Sequence, residues 1–575
     1  MSCKLTLSLA CAYLSLAGCV TGPRYDVVVY GGTSAGVIAA VKAARMGRSV
    51  VLIEPGQHLG GMSSSGLGAT DIGNKAAIGG LAREFYRRVG AKYGQAEAWK
   101  FEPHVAEEVF ADLVWEAGVP VAFGERLERR PDDAVPRLPP GTLLRVTATR
   151  ARGVRFVKRA GGSGDAPRAI RIDALVMESG RAFRGRVFID ATYEGDLLAA
   201  AGVSYTIGRE SNATYGETLN GVQVGNATKH QFVKEVDPYV VPGDPASGLL
   251  PGIEPAPPPP DGTGDHRVQA YNLRLCTTDV PENRRPWEKP ADYDERKYEL
   301  LLRNFDAGDD RVPWHRVMVP NRKTDTNNNF AISTDCIGMN YGYAQADYAT
   351  RERVVREHRA WTAGLTWTLA SHPRVPEHVR REFQTWGRAR DEFTDNDNWP
   401  YQLYAREARR MVADYVMTEH DCQGRKAAYP VGGDPPAATD PVGLAAYGMD
   451  SHNVQRYVDE HGHVRNEGDV QVHGFQPYPI SYRAIVPRRG ECANLLVPVC
   501  VSATHIAYGS IRMEPVFMVL GESAATTAAL ACEAAGATRT APEIHALKYE
   551  RLAERLLADG QVLTWPPPAD APAPK

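Results

Sequence analysis

The chain has 575 residues, with 66 lysines and arginines against 69 acidic residues and a formal net charge of −3. This length exceeds the size at which one hydrophobic core stops growing, so about two domains are expected. The near balance of charge offers no field for nucleic acid or an anionic membrane surface, and clusters such as Arg406, Arg409 and Arg410 are either solvated faces or specific anion sites.

Residues 1–19 carry one basic residue, an apolar run too short to span a bilayer, and Leu16-Ala17-Gly18-Cys19, the pattern of a bacterial lipoprotein cleavage box. The expectation is a removed signal peptide, a lipid anchor to the membrane on Cys19, and a periplasm-facing lipoprotein of the bacterial cell envelope. The alternative is a cytoplasmic protein with an uncleaved extension. In its favour, only Val20 to Arg24 separate Cys19 from the first strand, and no twin-arginine pair is present to export a preloaded protein.

Next come an apolar strand from Asp26 to Tyr30, a glycine turn, a small-residue helix with Ala40 and Ala44, and a second strand ending in Glu54. This is the order of a dinucleotide-binding unit. Gly31 lets the chain turn, Gly36 lets the helix approach both the sheet and a pyrophosphate on the helix N-terminus, and Glu54 accepts hydrogen bonds from ribose hydroxyls. The pattern reads G-x-T-x-x-G, with Thr33 where the usual fingerprint has glycine. An ordinary doubly wound α/β unit without nucleotide is the alternative.

Helices follow at residues 80–93 and 104–117, and β-rich excursions at 145–160 and 169–178 flank a hairpin turn at Gly161-Gly162-Ser163-Gly164. The chain returns to the sheet at 187–191, and residues 241–263 form a proline-rich loop. Further helices are expected near 344–370, 376–393 and 400–417, with an amphipathic terminal helix at 543–558 and a proline-rich tail from 565.

Distant segments decide which dinucleotide binds. Glu54-Pro55, Gly60-Gly61-Met62 and the run from Ser63 to Gly68 resemble the continuation typical of FAD enzymes of the glutathione-reductase structural type. Residues 187–196, with Ala191-Thr192 and Gly195-Asp196, resemble the strand and loop that those proteins close over FAD, and 509–530 resemble their C-terminal flavin-contacting turn and helix. From residue 25 to about 535 the chain resembles bacterial FAD-dependent oxidoreductases, some of which carry the name xanthan lyase. Tyr271-Asn272, Arg274, Lys323 to Asn328, Tyr404 to Met411, Asp450-Ser451-His452 and Ser502 to His505 are among the residues that carry this resemblance.

The resemblance implies an α/β fold with a glutathione-reductase-type Rossmann FAD domain. That domain is discontinuous, over 25–222 and 480–540, with an inserted α+β substrate domain over 223–479 and a terminal helix and tail over 541–575. It places FAD contacts at Gly31, Thr33, Ser34, Ala35, Gly36, Glu54, Pro55, Gly60, Gly61, Met62, Ser63, Ala191, Thr192, Gly195, Asp196, Gly521 and Glu522. It does not imply one substrate.

Of nine cysteines, Cys3, Cys11 and Cys19 lie in the signal region, and the other six include no C-x-x-C. That disfavours an iron-sulfur cluster, a zinc site and a dithiol relay, while disulfides stay open and no metal is expected. Flavin chemistry asks the protein for placement, a proton acceptor and positive potential near reduced flavin. Met513-Glu514-Pro515 marks a helix start, and Arg512 before it is either an electrostatic partner of reduced flavin or anionic substrate, or half of a buried salt bridge.

His505, in the loop leading to that helix, is the first candidate base, since a histidine titrates near pH ~6.5. His452 and Glu514 are the next candidates. Arg274 and Arg406 are candidate substrate clamps, with scaffolding as the alternative and, for Arg406 on a charge-rich helix, the preferred one. No second nucleotide fingerprint is present, so electrons would come from an organic substrate and leave to dioxygen, a quinone or a small carrier. The reading is an FAD-dependent oxidoreductase that dehydrogenates a small polar substrate, a sugar derivative or hydroxy acid, by hydride transfer. Its rivals are a redox-neutral elimination or isomerisation and a lipid-anchored, non-catalytic binding protein.

Overall fold

The computed structural model describes residues 23–130, 152–156, 170–424, 438–536 and 542–567. The cleavage box at Cys19 and the turn at Gly161 to Gly164 lie outside those residues. The chain opens with β1 (Arg24–Tyr30), α1 (Ser34–Arg45), β2 (Val50–Glu54), α2 (Gly80–Lys92), α3 (Pro103–Glu116) and β3 (Val121–Phe123). It continues through β4 (Val154–Phe156), β5 (Ile172–Val176) and β6 (Ala182–Asp190). These strands form a seven-stranded mixed sheet in the order β3-β2-β1-β6-β5-β4, with Leu495–Leu496 pairing β6 from far along the chain. The β3-β2-β1-β6 portion is parallel, and β4 and β5 add an antiparallel excursion.

Val27, Val28 and Val29 of β1 are fully buried, as expected of a central parallel strand covered on both faces. One cover is α1 and, against it, the Glu514–Ala534 helix. Small residues allow the close approach: a Cβ on Gly521 would lie 2.3 Å from the Ala35 carbonyl oxygen. The Glu514–Ala534 helix is apolar and long enough to cross a membrane by length and composition, and here it is buried from Glu514 to Cys532.

A second, antiparallel sheet of five strands orders Trp314–Val319, Lys323–Asn328, Leu275–Thr278, Gly387–Ala389 and Arg284–Arg285. The Tyr348–Ser371 helix, started by Asp347 accepting from the Thr350 N–H at 2.8 Å, packs against the Glu377–Thr385 helix near it.

Three expected helices differ. The helix from 376 stops at Thr385, because Gly387 enters a strand where a Cβ would meet the Arg285 carbonyl oxygen at 2.2 Å. The terminal helix is split into Ile544–Ala546 and Tyr549–Ala558. Residues 400–417 form no helix: a loop leads into the two-residue strand Arg410–Met411. The charged side chains of this segment are buried and bind separate parts of the chain, Arg406 to Asp335, Arg409 to Asp196 and Arg410 to Glu210, and these tertiary pairs override local helix propensity.

Lys42 on α1 is buried between Glu522, at 2.9 Å, and Asp559, at 2.5 Å, and so ties three helical segments together. Lys42→Ala leaves Glu522 buried without its cation and is expected to cost about 3–5 kcal/mol in urea unfolding. An unchanged midpoint would show that the pair does not hold these helices.

Candidate functional site

The β1-α1 turn builds a cradle. Gly31 has φ +101°, and a Cβ there would lie 2.9 Å from Ala191 and Thr192. Thr33 caps α1 by accepting from the Gly36 N–H at 3.3 Å, and its hydroxyl donates to the Ala191 carbonyl at 2.7 Å. The threonine in the glycine position thus locks the turn to the loop that follows β6. Gly36 is tightly enclosed. Its Cβ would sit 1.8 Å from the Gly31 carbonyl oxygen and 3.2 Å from the Ala191 side chain, so its smallness serves the packing of the turn against the residue that follows β6.

Glu54 ends β2 half-buried. Its carboxylate accepts from the N–H groups of Gly32 at 2.6 Å and Gly56 at 2.5 Å, while burial raises it to about 7. Gly32, which the fingerprint leaves unassigned, is the glycine that brings backbone to this acid.

A cavity of about 420 Å³ opens here. Gly31, Thr33, Glu54, Pro55, Thr192 and Asp196 line it, together with Tyr30, Tyr348, Arg126, Arg351 and Arg356. Burial opposes ionisation of Asp196, but Arg351 at 2.7 Å, Arg129 at 3.3 Å and Arg409 at 2.9 Å hold its carboxyl well below the usual range. A glycine turn with no room for a side chain, free N–H groups at the start of α1, an acid at the tip of β2 and cationic walls fit the adenosine and pyrophosphate of a dinucleotide.

The remaining cofactor candidates lie beside this cavity rather than on its wall. Gly60 and Gly61, at φ +97° and +56°, turn the chain into a short 3-10 helix, Gly61–Ser64. The Met62 N–H donates to the Tyr193 hydroxyl at 2.9 Å, and that hydroxyl donates to Glu514 at 2.7 Å. Ser34 and Ser63 also donate to the Glu514 carboxyl, at 2.6 and 3.3 Å. Glu514, at the start of its helix, is thus the shared acceptor of three segments, and burial raises it to about 7. Gly195, at φ +67°, precedes the Asp196–Ala200 helix. Ala35 and Gly521 meet at the helix crossing, and Glu522 turns away to Lys42, the Leu81 N–H and Gln561.

The proton-transfer candidates fall into a second, buried polar cluster. At its centre the Tyr404 ring faces three guanidinium groups, Arg274 at 5.8 Å, Arg406 at 4.9 Å and Arg512 at 5.7 Å. Arg512 donates to the Tyr404 hydroxyl at 2.6 Å and to the Asp450 carbonyl at 3.1 Å. Arg274 makes a bidentate pair with Asp325 at 2.8 and 2.7 Å. Arg406 is buried, donates to the Ala270 carbonyl and pairs with Asp335 at 2.8 Å.

The other Asp335 oxygen lies 2.7 Å from His452 Nδ1. Burial, and next the charge of Arg406, depress the His452 imidazolium. His505, 2 % exposed, has both ring nitrogens engaged: Nδ1 lies 2.8 Å from Glu407 and Nε2 lies 3.0 Å from the Ser451 hydroxyl. Arg406 Nε, Arg512 Nε, Gln269 Nε2 and Asp450 Oδ1 are buried without a hydrogen-bond partner in the protein.

Tyr404, Asp325, Asp335, Glu407, Asp450, Ser451, Tyr193 and Gln269 are members of these networks that sequence reasoning gave no role. Most stand inside the segments that carry the family resemblance, which was the available signal. A group of Glu102, His104 and Glu392 has ligand atoms within 4.8 Å of one another, but Lys323 Nζ lies 2.7 Å from both glutamates and already supplies the cation. The six cysteines among the described residues are buried and unpaired.

The mixed, Rossmann-like sheet with an acid-tipped second strand is the architecture of a dinucleotide-binding protein. A family model described as FAD dependent oxidoreductase matches residues 26–556, so the chain belongs to that family, and its cofactor is FAD. A 3-oxosteroid 1-dehydrogenase from Mycolicibacterium smegmatis is 38% identical over 82 residues, which is 14% of this chain and 13% of that protein's length. Among solved structures, Thermovibrio ammonificans THI4 is 16% identical over 36% of this chain and 73% of its own, with a TM-score of 0.22. The thioredoxin reductase of T. acidophilum is 16% identical over 29% of this chain and 34% of its own, with a TM-score of 0.16.

Two expectations follow for the cradle. Gly36→Val drives methyl groups into the Gly31 carbonyl and should abolish loading of FAD, measured by mass spectrometry of released cofactor; full FAD content in that variant would contradict the packing account. Glu514 binds its proton more tightly in the folded state, so its contribution to stability is lost as pH rises from 4.5 to about 7. Urea titrations of the FAD-free protein across that window should fall less steeply with pH in Glu514→Gln.

Proposed function

We propose that the protein dehydrogenates a small polar substrate, a sugar derivative or hydroxy acid, with His452 as the base. The observation that carries this reading is the Arg406-Asp335-His452 array: a guanidinium holds one carboxylate oxygen at 2.8 Å while the other orients the imidazole at 2.7 Å. A base oriented by a carboxylate is the arrangement that proton abstraction needs. With Nδ1–H facing Asp335, Nε2 is the basic nitrogen, and its nearest acidic oxygen, Asp450 Oδ2, lies 3.8 Å away, beyond hydrogen-bonding distance. Depressed basicity keeps the ring neutral at pH 7, ready to take a hydroxyl proton.

Bound FAD supplies the two-electron acceptor. The unpartnered Arg512, Arg406 and Gln269 nitrogens suit substrate oxygens, and Arg274 reinforces the positive side of the cluster. His505 becomes a positioning residue, fixing Ser451 next to the base in sequence. Glu514 holds the cradle together.

The finer architecture belongs to the same reading: a glutathione-reductase-type FAD domain over 25–222 and 480–540, interrupted by a substrate domain over 223–479. It is supported by the return of Leu495–Leu496 to β6 and by the separate antiparallel sheet between Leu275 and Ala389. A lipid on Cys19 and a place in the cell envelope rest on the Leu16 to Cys19 pattern alone. Dioxygen, a quinone or a small carrier would take the electrons onward.

His452→Ala should retain FAD and slow flavin reduction by substrate roughly 10²–10⁴-fold in anaerobic rapid mixing. In the unmodified protein the rate should fall on the acid side, below pH 6.5, as the depressed imidazole protonates, and that limb should vanish in the variant. Full-speed reduction in His452→Ala, with loss of it in His505→Ala, would return the role of base to His505.

A further inference from the structure

A second cleft, of about 430 Å³, runs along the Tyr348–Ser371 helix and shares Arg356 with the cofactor cavity. Five cationic groups line it, Arg285, Arg356, Arg359, Arg388 and Lys289, against two carboxylates, Asp397 and Glu288, a surplus of three positive charges. Asp397 is already shared three ways. Its carboxylate takes Arg359 at 2.8 Å and pairs with Arg285, and its carbonyl takes Arg388 at 2.6 Å.

The forks are held rigidly. Arg359 and Arg388 stack over Trp399 at 4.9 and 4.6 Å from the ring centroid. Arg388 is only 6 % exposed, and its Nε is buried without a hydrogen-bond partner. Burial, then the charge of Arg285, brings the Arg388 guanidinium down to about 10, so the cluster stands at an electrostatic cost that an anion would relieve. A merely solvated arginine face would carry no such cost.

We propose that this cleft binds a small ligand through a phosphate or pyrophosphate group, at a site separate from that of FAD. A single carboxylate answers one surplus charge. A phosphate brings about −1.5 to −2 charges, and several acceptor oxygens that match guanidinium forks. The volume suits a small molecule rather than a polymer.

Isothermal titration of the FAD-loaded protein with inorganic pyrophosphate at fixed ionic strength should give saturable binding. Arg388→Gln should weaken it by at least about tenfold, leaving FAD content and the flavin spectrum unchanged. Arg359→Gln, at a more exposed position, gives the same readout without disturbing the buried guanidinium. Acetate, a single carboxylate, should bind at least about tenfold more weakly than pyrophosphate. Absence of saturable binding, undiminished binding in both variants, or equal affinity for acetate would overturn the proposal.

Discussion

The buried carboxyl of Glu514 is the constraint on which the cofactor end of the molecule depends. It accepts from Ser34, Ser63 and Tyr193, which lie 480, 451 and 321 residues away in sequence. A buried acceptor left unpaired costs about 1–3 kcal/mol, so the lowest-energy arrangement brings the first turn of α1, the Gly61–Ser64 turn and the loop after β6 together on one helix start. Thr33 repeats the device one layer away by joining the glycine turn to Ala191. The cradle is therefore a set of linked hydrogen bonds between distant segments, not a property of the glycine motif alone.

A complementary rule governs the cluster around Tyr404. Each guanidinium has an acidic partner: Arg274 has Asp325, Arg406 has Asp335, and Arg512 stands 3.8 Å from Asp450. Pairing makes burial of so much charge tolerable, and the low dielectric then strengthens the orientation each pair imposes. The arginine cleft beside Trp399 departs from that rule, since Asp397 serves three guanidinium groups at once.

Local pattern was enough to read β1, α1, β2, α2 and α3, because their apolar periodicity and turn residues are contiguous in sequence. It failed at 400–417, where charge-rich spacing looks like an exposed helix only while the arginines are taken as solvated. Arg406, Arg409 and Arg410 instead find partners 71, 213 and 200 residues away, and no local signal announces such pairs. The same distance explains the ranking of the histidines. Proximity to the helix start draws attention to His505, whereas the carboxylate that orients His452, Asp335, lies 117 residues before it.

The most direct measurement is the FAD stoichiometry and dissociation constant of Glu514→Ala, compared with the unmodified protein at equal secondary-structure content by circular dichroism. If one carboxyl draws three segments into the cradle, the purified variant should hold far less than one FAD per chain and bind added FAD much more weakly. Full occupancy at unaltered affinity would contradict that role for Glu514.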